Sequence, residues 1–375
     1  MKNQIQNFMG IFEELAEQED PIKSYENYLL MLPKLPFGMK IRQYEIFHKR
    51  ELSEIINKQI VHLSRIYKIN EKNSYMHFEY QSIKGNKNEE GFFCILPGEK
   101  PFFSRITAIA TSEFWKMIVK KIVKDLYPYA MPVYFRQDEI ENALNNYEKG
   151  LGLNYRIRIS DVTAKEERDN RNKSKIIKYD TQRWWTNLPI SEVFGQAKER
   201  GQWFTAIRYV IQKRISNSER FFSIGSGSIN KYGELNFDSS YDNVRNFLLN
   251  ELENNASKRL SKFEDKSLRE RNYRPANPIE ISYNFEIFDE VKEIHRFGQV
   301  ILDYPKSTKV IYHSNPYYHS SVADFVDGSS FDIWILSLNK ILIIPQAKSS
   351  VQAFERLVGH ISSKFYEGDV DEYRE

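Results

Sequence analysis

Phe331-Asp-Ile-Trp-Ile-Leu-Ser-Leu-Asn-Lys-Ile-Leu-Ile-Ile-Pro-Gln-Ala-Lys348 is the stretch on which the reading of this chain turns. Two apolar, β-branched runs, 331–337 and 340–345, flank Leu338-Asn339, and this predicts a hairpin. Side chains alternate across a strand, so the length of the connection decides which residues share a face. A two-residue turn pairs Ser337 with Lys340, sets Asp332 opposite Pro345, and sends Gln346 and Lys348 to the other face. A loop of three or five residues gathers Asp332, Gln346 and Lys348 on one side. Two-residue loops are the commonest hairpin connection. On that geometry Asp332 and Lys348 are simply solvated strand ends.

Outward from the hairpin, residues 279–375 read as one αββα-like unit. A helix spans Phe285–Phe297, a strand follows at Val300–Asp303 or Val310–Tyr312, then the hairpin, then a helix over Val351–Tyr366. The order helix, hairpin, helix, with Asp332 in one strand and Gln346-Ala-Lys348 at the end of the next, resembles the PD-(D/E)xK nuclease superfamily in its QxK variant, as in Mrr-type restriction enzymes. The resemblance implies that Asp332 and Gln346 hold Mg²⁺, that Lys348 orients or activates the attacking water, and that Asp289, Glu290 or Glu293 is the helix acid. Mg²⁺ prefers oxygen ligands and stabilises both oxygens of an in-line displacement, so this chemistry is coherent. Just upstream, His313, His319, Asp324 and Asp327 lie close enough in sequence to ligate a metal. They match no defined zinc spacing, and Asn315-Pro316 and Asp327-Gly328 mark turns. A shaped loop is the reading preferred here.

The middle of the chain, 151–256, reads as a basic α+β unit. Arg156 and Arg158 are two apart on a predicted strand, so they share a face. Lys173, Lys175 and Arg183 follow, with Trp184 and Trp185, then Trp203 and Arg208 on a long strand over Gln202–Ile215. Cations interleaved with aromatic rings suit single-stranded nucleic acid, whose phosphates and bases need one of each. Acidic neighbours, Asp161 among them, offset half of this charge. The charged stretch 163–175 reads as a loop that tracks phosphates. Ile224-Gly-Ser-Gly-Ser228 reads as a turn and lacks the Gly-Lys-Ser/Thr element of a phosphate loop.

The remaining segments set the frame. Residues 1–70 read as helical, with Ile5, Phe8, Ile11, Phe12 and Leu15 at helical spacing, a second helix after Pro21, and a third over Arg42–Tyr67 carrying Ile55 and Ile56 inward. Residues 71–150 read as a hairpin plus helices, and 257–278, charged and containing Pro275 and Pro278, as a linker. At 375 residues the chain exceeds the size of most single cores. The net charge is +3, so any contact with nucleic acid must be local. The single cysteine, Cys94, sits among Phe92, Phe93, Ile95 and Leu96 and reads as a buried thiol, independent of an oxidising compartment. No apolar run approaches the roughly 20 residues needed to span a bilayer. The sequence therefore predicts a multi-domain α+β (mixed α/β) protein: a helical N-terminal part, a sheet-containing central unit and the αββα-like C-terminal unit. The expected function is a cytoplasmic, nucleic-acid-associated component of a larger assembly, contacting DNA or RNA and a protein partner without a catalytic centre of its own. The alternatives are a Mg²⁺-dependent nuclease at Asp332, Gln346, Lys348 and Glu293, and a protein-interaction scaffold.

Overall fold

The computed structural model describes residues 2–32, 35, 39–48, 52, 54–56, 68–72, 74–81, 88–127, 129–167, 179–200, 202–215, 219–264, 278–314, 317–346 and 348–373. The fold is α+β, with antiparallel strand pairing throughout the registers described. The chain divides into two compact units, Met1–Lys165 with Thr181–Asn254, and Glu166–Asp180 with Asn255–Glu375. No helix among the described residues is long and apolar enough to cross a membrane.

An eleven-stranded sheet organises the first unit. At its centre β1 (Ile41–His48) lies between β5 (Phe103–Ile109) and β11 (Glu234–Phe237), with β6 (Ala130–Pro132) against its far end. One wing continues through β4 (Asn88–Pro97) and β3 (Tyr75–Gln81) to β2 (Lys68–Lys72). The other continues through β10 (Phe221–Asn230), β9 (Trp203–Arg214) and β7 (Tyr155–Glu167) to β8 (Tyr179–Pro189). Thus the expected 71–150 and 151–256 segments contribute strands to one sheet. Its longer helices are α1 (Lys2–Leu15), α2 (Pro21–Met31), α3 (112–125, with a π-helical middle), α4 (Gln137–Leu151), α5 (Ile190–Glu199) and the part of α6 (241–264) up to Asn254. The spacing read for α1 holds: Ile5, Phe8 and Phe12 are buried, while Ile11 and Leu15 are half-buried. Asp20 caps α2 by accepting the Lys23 N–H at 3.1 Å, and Pro21 fills a first-turn position where no N–H is needed.

Three expectations fail here for local reasons. Ile41–His48 is the central strand, not the start of a third helix; Leu52 and Glu54–Ile56 are helical, and 57–67 lies outside the described residues. Both faces of β1 are buried, so it lacks the polar alternation that marks a half-exposed strand. Gln43 and Glu45 are both buried: Gln43 donates to Glu45 and accepts from Thr107 at 3.4 Å, while the buried Arg105 guanidinium lies 3.4 Å from Glu45 and 2.5 Å from Glu253. The segment Ile224–Ser228 is strand, not turn, with a bulge at Ile224. Gly227 is required there: a Cβ would lie 2.3 Å from the Tyr209 ring. The helix from Tyr241 runs on to Glu264 and takes in the first residues of the expected linker; 265–277 is outside the described residues.

The second unit carries a six-stranded sheet in the order β13 (Ser307–Ser314), β14 (Tyr318–Asp324), β15 (Ser330–Ser337), β16 (Lys340–Pro345), β12 (Ile279–Ser282), β17 (Asp369–Glu372). Helices α7 (Val291–Leu302) and α8 (Val351–Lys364) cover one face, where Phe354 meets Phe331 at 4.8 Å and Phe297 meets Tyr318 at 5.1 Å. A short 3-10 turn at Ile287–Asp289 precedes α7, so the helix begins later than its apolar spacing suggests. Of the two strand alternatives read in the sequence, the one containing Val310–Tyr312 is formed. The β14–β15 turn is fixed by charge: buried Asp324 accepts from Tyr304 at 2.8 Å and from Arg356 at 2.7 Å.

Candidate functional site

Strand alternation gives the first sheet one apolar and one polar face over its β7–β11 wing. Ile157, Ile159, Ile207, Tyr209, Ile211, Ile229 and Leu235 are buried on one side. Their neighbours in sequence build a row on the other. Arg42 of β1 stands opposite Asn236 of β11, Asn236 opposite Ser228 of β10, Ser228 opposite Arg208 of β9, and Arg208 opposite Asp161 of β7. Hydrogen bonds tie parts of the row: Arg42 Nη1 donates to Asn236 Oδ1 at 2.9 Å, and Asn236 Nδ2 donates to Ser228 Oγ at 3.2 Å. At the far end Arg183 of β8 donates Nε to both Asp161 oxygens at 3.0 Å and adds an Nη2 contact. A depression of about 200 Å³ follows this row, lined by Asp161, Arg183, Arg208, Ser228, Asn230 and Asn236 among others.

A β-bulge makes the row converge. The register of β7 on β9 shifts at Ser160, between Ile159 and Asp161. Without that extra residue Arg158 and Asp161, three apart, would point to opposite faces. With it, Arg156, Arg158 and Asp161 share the open face. Arg156 donates to Gln212 at 2.8 Å and its guanidinium lies 3.7 Å over the Phe221 ring. Arg208 is 63 % exposed and meets Asp161 at 4.0 Å. Arg183 holds a high pKa through its hydrogen bond to Asp161 and the charge of that carboxylate. Burial lowers Arg42, opposed by Glu234. Lys40, placed beside the row by its 3.3 Å bond to Ser226, is also lowered by burial, with Asp238 opposing.

Of the residues expected to contact nucleic acid, the fold brings Arg156, Arg158, Arg183 and Arg208 to one surface. Trp184 points the other way, edge-on to buried Phe204 at 6.2 Å. Its neighbour Trp185 takes the open face, 75 % exposed, with the Arg183 guanidinium 5.4 Å from its ring. The expected charged loop at 163–175 is strand as far as Glu167. Lys173 and Lys175 lie outside the described residues. Arg42, Asn236 and Ser228 escaped the sequence reading because they fall in segments taken for a helix, a turn and its neighbourhood.

The expected magnesium cluster is brought together in part. The Leu338-Asn339 turn has two residues, and Ser337 faces Lys340 as predicted. A bulge at Leu336 then shifts the register, so that Asp332 faces Ile344 and not Pro345. This corrects the parity argument: the extra residue does what an odd loop would do. Gln346 Nε2 donates to Asp332 Oδ2 at 2.8 Å, and the Ser321 hydroxyl donates to the other oxygen. Lys348 is exposed, and its Nζ would lie 2.9 Å from a Cβ on Gly328, at the β14–β15 turn. Glu293, at the start of α7, accepts from Arg296 at 3.1 Å. Pro345 is tolerated because the Gln346 N–H donates to Ser330, which leaves position 345 pointing away from β15. His313 and His319 are a cross-strand pair, but His319 stacks on Trp334 at 3.8 Å while Asp324 is committed to Arg356. These residues form no metal cluster among the described residues.

No protein-family model matches the chain, and no curated protein matches it.

Proposed function

We propose that the protein binds nucleic acid on the arginine-bearing face of its first sheet, as a non-catalytic component of a larger assembly. The observation that carries this is the convergence of Arg156, Arg158, Arg183 and Arg208 on one open face beside exposed Trp185. Guanidinium groups bind phosphate oxygens in a fixed fork, and an exposed indole offers a base a stacking surface. Asp161 neutralises one of these cations and fixes its direction, so the face keeps an excess of positive charge despite the modest net charge of the whole chain. A cytoplasmic location is part of this reading, since the buried thiol of Cys94 requires no oxidising compartment. A protein partner is also part of it: Val310, Tyr312 and Leu336 are exposed apolar side chains on or beside the outward face of the second sheet. Fluorescence anisotropy with labelled single-stranded DNA and RNA at low salt tests the proposal. Absence of binding to either would end it.

The second reading is the Mg²⁺-dependent nuclease, favoured by the approach of Gln346 to Asp332. Incubation of DNA and RNA with the protein and Mg²⁺ or Mn²⁺, beside Asp332→Ala and Lys348→Ala, separates the two. Cleavage lost in both variants would support the nuclease; equal signals in all three proteins would exclude it.

A further inference from the structure

The polar face of the first sheet is open over β7 to β11 and closed at β1, where helix α3 lies across it. The Trp115 ring of α3 stacks on Tyr44 of β1 at 5.1 Å, and Trp115 Nε1 donates to Glu234 Oε1 at 2.8 Å. Tyr44 stands opposite Glu234 of β11 and Ile106 of β5, and Ile106 and Trp115 share one apolar core. A nucleic-acid strand laid on the arginines from the β8 edge therefore meets a wall beyond β11. The depression lies just before that wall, over the short side chains of Ala206 and Ser228.

The hydrogen-bonding capacity of this depression is one-sided. Its acceptors are spent. Asp161 accepts from Arg183, and Glu234 accepts from Trp115 and from Lys120 Nζ at 2.8 Å; the two carboxylates are only 4 % and 8 % exposed. Asn236 Oδ1 accepts from Arg42 at 2.9 Å, and Asn230 Oδ1 accepts from the Tyr232 N–H at 2.8 Å. A guanidinium and a backbone amide can only donate, so these contacts fix which amide atom is the oxygen. The donors are left over. Asn230 Nδ2 and the Ser228 hydroxyl proton meet no acceptor among the described residues, and Asn236 Nδ2 spends one of its two protons, on Ser228. Arg208 adds a largely exposed guanidinium. Burial lowers the Lys40 pKa; Asp238 opposes this, while the charges of Arg208 and Arg42 add to it, so cations crowd this end of the row.

A concavity that offers donors suits a group made of acceptors. A base edge mixes donors with acceptors, and its donors would find no partner here. A phosphodiester within a strand must continue past the site on both sides, and α3 blocks one of them. A phosphomonoester carries about two negative charges at neutral pH, three strong acceptor oxygens and a single ester link. We propose that the depression seats a phosphomonoester, the phosphorylated end of a strand held on the arginine face; the inference rests on the nucleic-acid reading of that face. Ser228, Asn230 and Asn236 donate to the terminal oxygens, Arg208 pairs with their charge, and α3 marks where the strand stops.

Fluorescence anisotropy at fixed salt tests this with single-stranded oligonucleotides of one sequence, carrying a 5′-phosphate, a 3′-phosphate or hydroxyls at both ends. One phosphorylated end should bind about tenfold or more tightly than the hydroxyl form, as hydrogen bonds to a charged group allow. Ser228→Ala and Asn230→Asp should each cut that ratio by about threefold or more. Asn230→Asp keeps the oxygen that accepts from Tyr232 and exchanges the donor amide for an acceptor, so the turn is preserved. A general weakening of binding does not imitate the result, because the readout is the ratio between ends. If Asn230→Asp fails to fold, Ser228→Ala decides alone. Equal affinity for all three oligonucleotides overturns the seat and leaves the nucleic-acid reading standing, and a ratio unchanged in both variants also overturns it. If no oligonucleotide binds, calorimetric titration with inorganic phosphate separates the two ideas. Binding that Asn230→Asp abolishes upholds a phosphate seat while the strand reading falls; no binding overturns both.

Discussion

The two sheets each leave one face open, and each face is assembled by a β-bulge, yet the outcomes differ. In the first sheet the extra residue at Ser160 puts Asp161 among arginines that outnumber it. In the second, the extra residue at Leu336 puts Asp332 beside Gln346 and Ser321, which satisfy both of its oxygens, and the nearby Glu280 is paired with Lys340 at 2.9 Å. The first face has cationic donors left over for an outside ligand. The second spends its polar groups on itself and exposes a ladder of rings, Tyr312, His319 and Trp334, at centroid spacings of 4.6 and 3.8 Å. The lesson is that a bulge can gather polar groups equally well into a binding surface or into a closed network. The balance of donors and acceptors decides which.

The first sheet is most vulnerable from beneath. Arg105, buried between Glu45 and Glu253, holds charged residues in the core of the first sheet. Arg105→Ala leaves both carboxylates without their partner and should cost about 3–5 kcal/mol of stability. Chemical denaturation followed by circular dichroism checks this, with loss of the first unit's transition expected before that of the second. The contrast is sharpened by removing Arg156, Arg158 and Arg208 together. Affinity for single-stranded nucleic acid at low salt should fall about a hundredfold or more, because the electrostatic share of binding goes with the phosphate contacts. Thermal unfolding should barely change. Asp332→Ala does the reverse: it strands the Ser321 hydroxyl and the Gln346 amide and costs about 1–3 kcal/mol, while anisotropy titrations stay at wild-type affinity.

The smallest effect is a pH dependence. Burial pushes the Glu45 carboxyl well above its usual range; Arg105 opposes this and Glu253 reinforces it. The folded state therefore holds a proton that the unfolded chain has released. That contribution is complete below the ordinary glutamate pKa and is lost as pH rises through the shifted value. Glu45→Gln removes it. The variant should gain on the wild type in melting temperature as pH rises above the ordinary glutamate pKa of about 4.3. A difference that stays constant with pH would refute the shift.

Much of this was legible in the sequence, and the failures have a common cause. Arg156 and Arg158 were placed on one face correctly because two-residue spacing needs no knowledge of partners. Trp184 and Trp185 read alike in the sequence because composition does not reveal parity, and only the strand's own pairing does. Arg42 was hidden in β1, whose buried Gln43 and Glu45 break the apolar pattern of a central strand. Asp332 was set against the wrong neighbour because a bulge leaves no sequence mark: Leu336 is as ordinary a strand residue as Ile335. Apolar spacing marks α1 well, and α8 stands close to its expected bounds. Helix ends are less legible, as where Phe285–Phe297 is expected and Val291–Leu302 is formed.

Excess positive charge at one surface is measured directly by the salt dependence of binding. For a single-stranded oligonucleotide titrated between 50 and 200 mM salt, about the range over which such contacts are resolved, the logarithm of affinity should fall linearly with the logarithm of salt concentration. Replacing Arg156, Arg158 and Arg208 by alanine should flatten that slope by about 0.7 for each phosphate contact removed. A wild-type slope near zero, or one left unaltered by the triple substitution, would contradict the assignment of this face.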